Sequence, residues 1–160
     1  MTTIAAASSI PELLRDRLEI LDLTSQLGLL VDARDWPGLT ALFTTEVDID
    51  YTSLNGGQPQ RSPAAEIVSG WRQVLSHLDA TQHLIAGQMI RLDGDHATAS
   101  ANVQGTHVLA NATGGPHWTV AGRYDFGLTR TSGGWRISAL KLTVLWASGN
   151  QQIMTLAAAG

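Results

Sequence analysis

Hydrophobic positions recur every three or four residues in the first half of the chain and every second residue in the second half. A spacing of three to four residues places side chains on one face of a helix, and a spacing of two places them on one face of a strand. The change of period falls after Asp79. The pattern therefore predicts helices first and a sheet afterwards.

Three helices are predicted in the N-terminal half. The first begins at Ser9, because Ser9-Ile10-Pro11-Glu12 has the spacing of a capping box with proline in the first turn. A short second helix follows Asp35 and ends near Phe43. The third begins after Ser62-Pro63 and has an apolar stripe made of Ile67, Trp71, Val74 and Leu78.

One face of the first helix combines apolar or small side chains with a single carboxylate. Its members step by three or four and are Leu14, Leu18, Leu21, Ser25, Gly28 and Asp32. Because most of this face is apolar, we assign it to the interior, which makes Asp32 a candidate buried carboxylate. The alternative is that Asp32, near the helix end, reaches solvent or caps the next helix.

One strand is predicted before the third helix and four after it. Residues 46–51 alternate in polarity and form the early strand, whereas residues 55–63 are rich in Gly and Pro and form a loop. Turn signals at 93–95, 111–116 and 132–134 then separate four antiparallel strands of about 82–92, 96–110, 117–131 and 135–148.

The length of these strands and the glycines inside them predict a sheet that bends. The internal glycines are Gly87, Gly105, Gly122 and Gly127. Helices that precede a strongly bent antiparallel sheet give an α+β fold. Residues 157–160, which are Ala and Gly, are expected to form a frayed tail.

Composition narrows the class of protein. At 160 residues the chain is expected to form a single domain, 1–160, with a core of about 10–150. Hydrophobic residues make up 44% and charged residues 15%, the opposite of a disordered chain. The net charge of −4 and the lack of a Lys/Arg-rich run argue against a nucleic-acid partner. The chain has no Cys, no signal-peptide pattern and no apolar run of membrane-spanning length, so we expect a cytoplasmic protein without a membrane partner.

Several short segments, in order and at plausible spacings, resemble the SnoaL-like branch of the nuclear-transport-factor-2-like (NTF2-like) superfamily. They are Leu29-Leu30-Val31-Asp32-Ala33-Arg34-Asp35-Trp36, His83, Leu92-Asp93-Gly94-Asp95 with Ala97 and Ala99, His107, Gly122-Arg123-Tyr124, and Gly134-Trp135-Arg136-Ile137. The resemblance covers about residues 10–150 and implies an NTF2-like cone, in which a curved antiparallel sheet and three N-terminal helices enclose a pocket. Such folds host several chemistries and also proteins that are not enzymes.

The resemblance implies a catalytic pair. In the related dehydratases and the dehydrochlorinase an Asp orients a His, and these roles fall on Asp32 and His83. An imidazole held by a buried carboxylate is a competent general base. The offset of His107 from His83 is similar to that of the two active-site His of scytalone dehydratase, so His107 is the third catalytic candidate. The alternative for both His is an ordinary packed or edge position in a strand.

No cofactor or metal is expected. The remaining His77, His96 and His117 lie at a helix end or beside turns, and no His pair has the short spacing typical of zinc sites. Some family features are missing: Gly87 stands where many relatives have Asn, and the Lys of the dehydrochlorinase and the oxyanion acids of ketosteroid isomerases have no clear counterpart.

The aromatic content suggests the substrate. Five Trp in 160 residues is a high content, and an apolar cavity with a few polar groups suits a ring-containing small molecule. The residues predicted to line the pocket are Tyr51, Trp71, Met89, Tyr124 and Trp146. Arg123 is predicted to face outward, and a homodimer is expected through the outer face of the sheet.

The first hypothesis for function is a cofactor-independent lyase or isomerase, of dehydratase or cyclase type, that uses Asp32 and His83 as an acid/base pair. The first alternative is a binding module with the same cone and an inert pocket. The second is an epoxide hydrolase, which needs an Asp–Arg–Asp arrangement for which Asp32, Arg91 and Asp125 are the candidates. The third is a structural subunit, like the small subunit of ring-hydroxylating dioxygenases.

Overall fold

The described residues, 9–110 and 112–159 of this computed structural model, form five helices and six strands. The helices are α1 (Ile10–Ala33), α2 (Trp36–Ala41), α3 (Thr52–Asn55), α4 (Ala64–Leu75) and α5 (Gln152–Ala158). The strands are β1 (Phe43–Asp50), β2 (Gln60–Pro63), β3 (Ala80–Asp93), β4 (His96–Val108), β5 (His117–Thr131) and β6 (Gly134–Gly149).

The strands form one curved sheet in the order β2-β1-β6-β5-β4-β3. The four long strands pair antiparallel and confirm the predicted α+β cone. Strand β1 adds to them in parallel, with Ile49 beside Leu140. Register shifts next to Gly87, Gly122 and Gly127 break the ladders, and Gly87 has a φ of 71°, which favours glycine. The bulges bend the sheet around its concave face.

The core lies between this concave face and helices α1, α2 and α4. Its largest fully buried side chains are Trp135, Ile20, Leu39, Leu128, Ile137, Leu140 and Ile153. Among the helices that the structure describes, none has the length and apolarity that crossing a membrane requires.

The N-terminal part of α1 is anchored by a buried carboxylate. Asp16 accepts hydrogen bonds from both terminal nitrogens of Arg130, at 2.8 and 2.6 Å, and from the indole N–H of Trp135 at 3.1 Å. The hydrogen bonds from Arg130 hold the pKa of Asp16 below its ordinary value although burial opposes them. This contact decides which face of the helix turns inward.

The prediction that the whole Leu14-to-Asp32 face is interior is wrong for its first half. The buried residues of α1 are Asp16, Ile20, Leu23, Thr24, Leu27, Gly28 and Val31. Leu14, Leu18 and Leu21 are exposed at 56%, 61% and 38%. With Asp16 pointing inward, the predicted face is rotated outward, and only its second half is covered, by β3.

Three elements were missed in the sequence pattern. Helix α3 and strand β2 lie in or beside the predicted loop at 55–63, so the N-terminal half has four helices and two strands. Helix α5 was not predicted, and it extends into residues 157–160, which were expected to form a frayed tail. Ile153 and Ala157 of this helix are 0% and 3% exposed. The predictions that concern residues 1–8, Asn111 and Gly160 lie outside the described residues.

Candidate active site

A cavity of about 850 Å³ opens between the concave face of the sheet and helices α1, α4 and α5. Its walls are mainly apolar, with Leu27, Val31, Trp71, Val74, Ile85, Val103, Trp118, Val120, Leu142 and Met154 among the lining residues. The polar side chains in the lining are Tyr51, Asn55, His83, His107, Tyr124, Gln151, Gln152 and Thr155. A large apolar cavity with a few convergent polar groups is typical of a small-molecule site.

Asp32 lies in the last turn of α1, behind His83. Its carboxylate accepts hydrogen bonds from His83 Nδ1 at 2.7 Å, from the His83 backbone N–H at 2.7 Å and from the Thr81 hydroxyl at 2.9 Å. Burial tends to raise the pKa of Asp32, but these hydrogen bonds outweigh it and hold the pKa below its ordinary value. Asp32 is therefore ionised at neutral pH, and the contact predicted between Asp32 and His83 is present.

The hydrogen bond to Asp32 fixes the tautomer of His83. Because an ionised carboxylate only accepts, Nδ1 of the neutral imidazole carries the proton and Nε2 keeps its lone pair. His83 lines the cavity, and within the described residues no hydrogen-bond partner reaches Nε2. The free lone pair is thus available to a bound molecule.

Two glycines make room for this imidazole. A Cβ added at Gly28 of α1 would lie 3.0 Å from the His83 carbonyl oxygen, so glycine lets β3 approach the helix closely. A Cβ added at Gly105 of β4 would lie 3.0 Å from His83 Cδ2 and 3.3 Å from His107 Cε1. Larger side chains at either position would push the imidazole away from Asp32.

His107 lies beside His83 and deeper in the protein. The two rings meet edge to face with centroids 5.4 Å apart, and His107 is 4% exposed. Burial, with a smaller effect of His83, lowers the pKa of His107 to about 4. His107 is therefore neutral near pH 7, when it can accept or donate a hydrogen bond without adding charge.

Two tyrosine hydroxyls also meet at the cavity wall. The Tyr51 and Tyr124 oxygens are 3.1 Å apart, and the Tyr51 ring also packs against Trp71 at 6.0 Å between centroids. Burial raises the pKa of Tyr51 well above its ordinary value, and it raises that of Tyr124 as well. Both phenols stay protonated. One donates to the other, which leaves the second hydroxyl proton available to a ligand oxygen.

Three of the five predicted lining residues, Tyr51, Trp71 and Tyr124, are in the cavity wall, and two are not. Met89 is 70% exposed and Trp146 is 51% exposed. The predicted position of both is wrong because bulges in β3 and beside Gly122 shift the alternation of side chains by one residue. The lining residues of α5 were missed because that helix was not predicted.

Other candidates do not join the site. Asp125 pairs with Arg123 at 3.0 Å, and Arg91 is exposed, so the Asp–Arg–Asp arrangement of the epoxide hydrolase hypothesis is not formed. His77 Nδ1 lies 2.8 Å from the carbonyl oxygen of Ala157 in α5. Among the described residues, no group of three His, Asp or Glu is placed to hold a metal ion.

A curved antiparallel sheet that helices close around an apolar cavity is an α+β fold of the NTF2-like type. The chain belongs to the SnoaL-like domain family, whose model matches residues 12–141. It is 34% identical over 123 residues to the uncharacterized protein Rv2910c of Mycobacterium tuberculosis, which covers 76% of this chain and 80% of the relative.

Solved structures agree on the fold. The Kfla4162 protein from Kribbella flavida is 30% identical with a TM-score of 0.84, covering 89% of this chain and 99% of that one. A putative aromatic ring hydroxylase from Novosphingobium aromaticivorans is 28% identical with a TM-score of 0.75, covering 88% and 97%. Two further structures from that species show the fold alone. A putative scytalone dehydratase is 17% identical with a TM-score of 0.74, covering 89% of this chain and 93% of that one. An NTF2-like protein with a cystatin-like fold is 23% identical with a TM-score of 0.65, covering 91% of each chain.

Proposed function

We propose that this protein is a cofactor-independent lyase or isomerase that removes a proton next to a carbonyl group of an apolar, ring-containing small molecule in the cytoplasm. One observation carries the proposal: His83 lines the cavity, and no residue that the structure describes bonds its Nε2, while its Nδ1–H is held by the ionised Asp32. This is the arrangement that a general base needs.

The geometry supports a sequence of proton transfers. His83 Nε2 takes the proton from the carbon next to the carbonyl, and Asp32 stabilises the imidazolium that forms. The enolate oxygen accepts a hydrogen bond from the Tyr51–Tyr124 pair, whose high pKa values keep the phenols protonated. If a hydroxyl group lies β to the carbonyl, the imidazolium returns its proton to that group, which leaves as water, and the neutral base is restored. In a cyclase the same enolate carbon attacks a second carbonyl, whose C=O π bond breaks, and the imidazolium protonates the alkoxide that forms.

The cavity supports the substrate class. Its volume of about 850 Å³ lies within the range of roughly 300–1,000 Å³ of small-molecule sites. Aromatic rings of Trp71, Trp118 and Tyr124 line it, and aromatic faces favour a flat ring. One protein with this fold is a putative scytalone dehydratase, and another is a putative aromatic ring hydroxylase. The first name supports the lyase class, and the second supports an aromatic substrate.

The experiment uses a β-hydroxy tetralone, because its dehydration gives a naphthol that is followed by absorbance. We expect His83→Ala to lower the rate by roughly 10²–10⁴-fold, the usual contribution of positioned proton transfer. Asp32→Asn should also cause a large loss, since it keeps the shape but removes the charge that stabilises imidazolium. The double variant should be little worse than the worse single one, because both act in one step. His107→Ala should cost less if His107 only polarises the substrate.

The control is His96→Ala, which removes an exposed imidazole outside the cavity lining and should leave the rate unchanged. Exchange of the α-protons of unsubstituted tetralone in heavy water tests proton abstraction without a leaving group. A wild-type protein that binds tetralone, seen by tryptophan fluorescence, but neither exchanges its protons nor dehydrates the β-hydroxy compound, would support the binding module instead.

A further inference from the structure

Three leucines of α1 form an exposed apolar stripe. Leu14, Leu18 and Leu21 are 56%, 61% and 38% exposed and follow one another at steps of four and three residues. That spacing places them on one side of the helix. We call these three residues the α1 stripe. Apolar surface left in water is unfavourable by roughly 25 cal/mol per Å², so adjacent exposed leucines favour association.

The α1 stripe lies on the same side of the helix as Ser25, Gly28 and Asp32, and these three residues pack against strand β3. Ser25 accepts a hydrogen bond from Gln88 of β3 at 3.0 Å, Gly28 lies against the His83 backbone, and Asp32 binds His83. Strand β3 therefore covers the second half of this face. No element of the described chain covers the first half, where the three leucines lie.

We propose that the α1 stripes of two copies of this chain pack against each other. The two α1 helices then lie antiparallel and are related by a two-fold axis. In that arrangement Leu18 packs against Leu21 of the partner subunit, and each surface meets its own copy. The inference is independent of the proposed catalytic activity.

The charges beside the stripe match this pairing. Arg15 and Asp22 are seven residues apart, so they lie on the same flank of the helix. When two identical helices pair antiparallel, the same flank of each meets the other, which brings Arg15 next to Asp22 of the partner subunit twice. Among the described residues, neither Arg15 nor Asp22 takes part in an ion pair within the chain.

The outer face of the sheet is a weaker candidate for the predicted homodimer. Its β4 side chains are mostly polar, namely Thr98, Ser100, Asn102, Gln104 and Thr106, and Arg123 forms an ion pair with Asp125 on β5. Leu84, Met89 and Trp146 are exposed there, but the cross-strand neighbour of Leu84 is Gln104, and that of Met89 is Ser100. Polar side chains thus separate the exposed apolar residues of this face, whereas the three leucines of the α1 stripe follow one another directly.

Sedimentation equilibrium of the full chain tests the proposal. We expect a dimer whose dissociation constant rises at least about 30-fold in Leu18→Glu, because a residue at the centre of an interface contributes most to affinity. Arg15→Asp should weaken the dimer several-fold, and adding Asp22→Arg to it should restore the affinity, since the exchanged charges again pair. Trp146→Glu on the outer face of the sheet is the matched control and should leave the dimer intact.

Three results would overturn the proposal. A monomeric wild-type chain at micromolar concentration excludes the second copy. A wild-type chain that is monomeric but dimerises after deletion of residues 2–8 shows that its own N-terminal segment covers the stripe. A dimer that persists in Leu18→Glu but dissociates in Trp146→Glu places the interface on the sheet. Circular dichroism of each variant checks that it is folded, which is expected because all the substituted positions are exposed.

Discussion

His107 is a buried imidazole whose environment disfavours its charged form. It lies next to His83, and an imidazolium at either position disfavours one at the other. A neutral His107 therefore leaves His83 free to gain the proton during proposed catalysis. The same burial links the stability of the fold to pH.

We predict that His107 makes the fold less stable as the pH falls from about 6.5 to about 4. In the unfolded chain His107 binds a proton near its ordinary value of 6.5, whereas in the folded chain its pKa is about 4. The unfolded state thus binds more protons in this window, and stability is lost as the pH falls. The loss approaches roughly 3 kcal/mol at the low end, since one pKa unit corresponds to about 1.4 kcal/mol.

Urea unfolding of wild type and His107→Gln across this pH range measures the effect as a difference, because the carboxylates titrate in both. The free energy of unfolding of the wild type, minus that of His107→Gln, should decrease as the pH falls, because only the wild type carries the His107 imidazole. Asp32 affects stability over a different pH range. Because folding lowers its pKa, it stabilises the fold at pH values above its unfolded pKa near 4, and this stabilisation is lost at lower pH. A constant gap from pH 6.5 to 4 would show that His107 is not buried as described.

At the scale of residues, periodicity placed Asp32 near the end of α1 and His83 near the start of β3, whereas their pairing was predicted from the resemblance to the SnoaL-like branch. The contact between them is present. Met89 and Trp146 were misplaced because each lies at or next to a bulge, and one extra residue turns every later side chain to the other face. A glycine in a strand suggests a bulge, but it does not say which residue is the extra one.

At the scale of elements, helix α5 depends on packing against the rest of the domain. Its seven residues are too few to form a stable helix in isolation. The sequence pattern therefore does not reveal this helix, and its last residues were expected to belong to a frayed tail. In the structure it adds Met154 and Thr155 to the cavity wall.

We predict that Ile153→Ala lowers the free energy of unfolding by about 2–4 kcal/mol, because it opens a cavity where the side chain is fully buried. Leu156→Ala in the same helix is the matched control. Leu156 is 49% exposed, so the change should be within about 0.5 kcal/mol. Chemical denaturation measures both variants. Equal effects would mean that α5 is not docked on the core.

A second pair of substitutions separates two glycines in helices. Gly70 is exposed in α4 and has no atom within 4 Å of an added Cβ. Gly70→Ala should therefore stabilise the fold by roughly 0.5–1 kcal/mol through helix propensity. Gly28→Ala should do the opposite, because the new Cβ would lie 3.0 Å from the His83 carbonyl and would displace β3. Thermal unfolding of both variants tests the prediction, and a stabilised Gly28→Ala would contradict the close approach of α1 and β3.

At the scale of the whole molecule, the cone was predictable because its main signals are regular: helix periodicity, then alternation, then glycine turns. The predicted interior face of α1 is wrong in its first half because the helix carries two apolar stripes. The buried stripe, Ile20, Leu23, Leu27 and Val31, also steps by three and four residues. Asp16 lies on the same buried face and binds Arg130 and Trp135, more than 110 residues away along the chain. A long-range hydrogen bond of this kind cannot be read from the sequence, so periodicity alone does not decide which stripe turns inward.

The exposed α1 stripe leads to a last prediction, which concerns the stability of the assembly. If two copies associate when folded and separate when unfolded, mass action makes the melting temperature depend on protein concentration. A 100-fold increase in concentration favours the dimer by about 2.7 kcal/mol, which is a rise of roughly 3–5 °C for chains of this size. Differential scanning calorimetry over that range should show the rise in wild type and in the Trp146→Glu control. The Leu18→Glu variant should melt at a constant temperature at concentrations below its raised dissociation constant, because its folded and unfolded states are both monomeric there. A wild-type melting temperature that does not change with concentration would contradict association through α1.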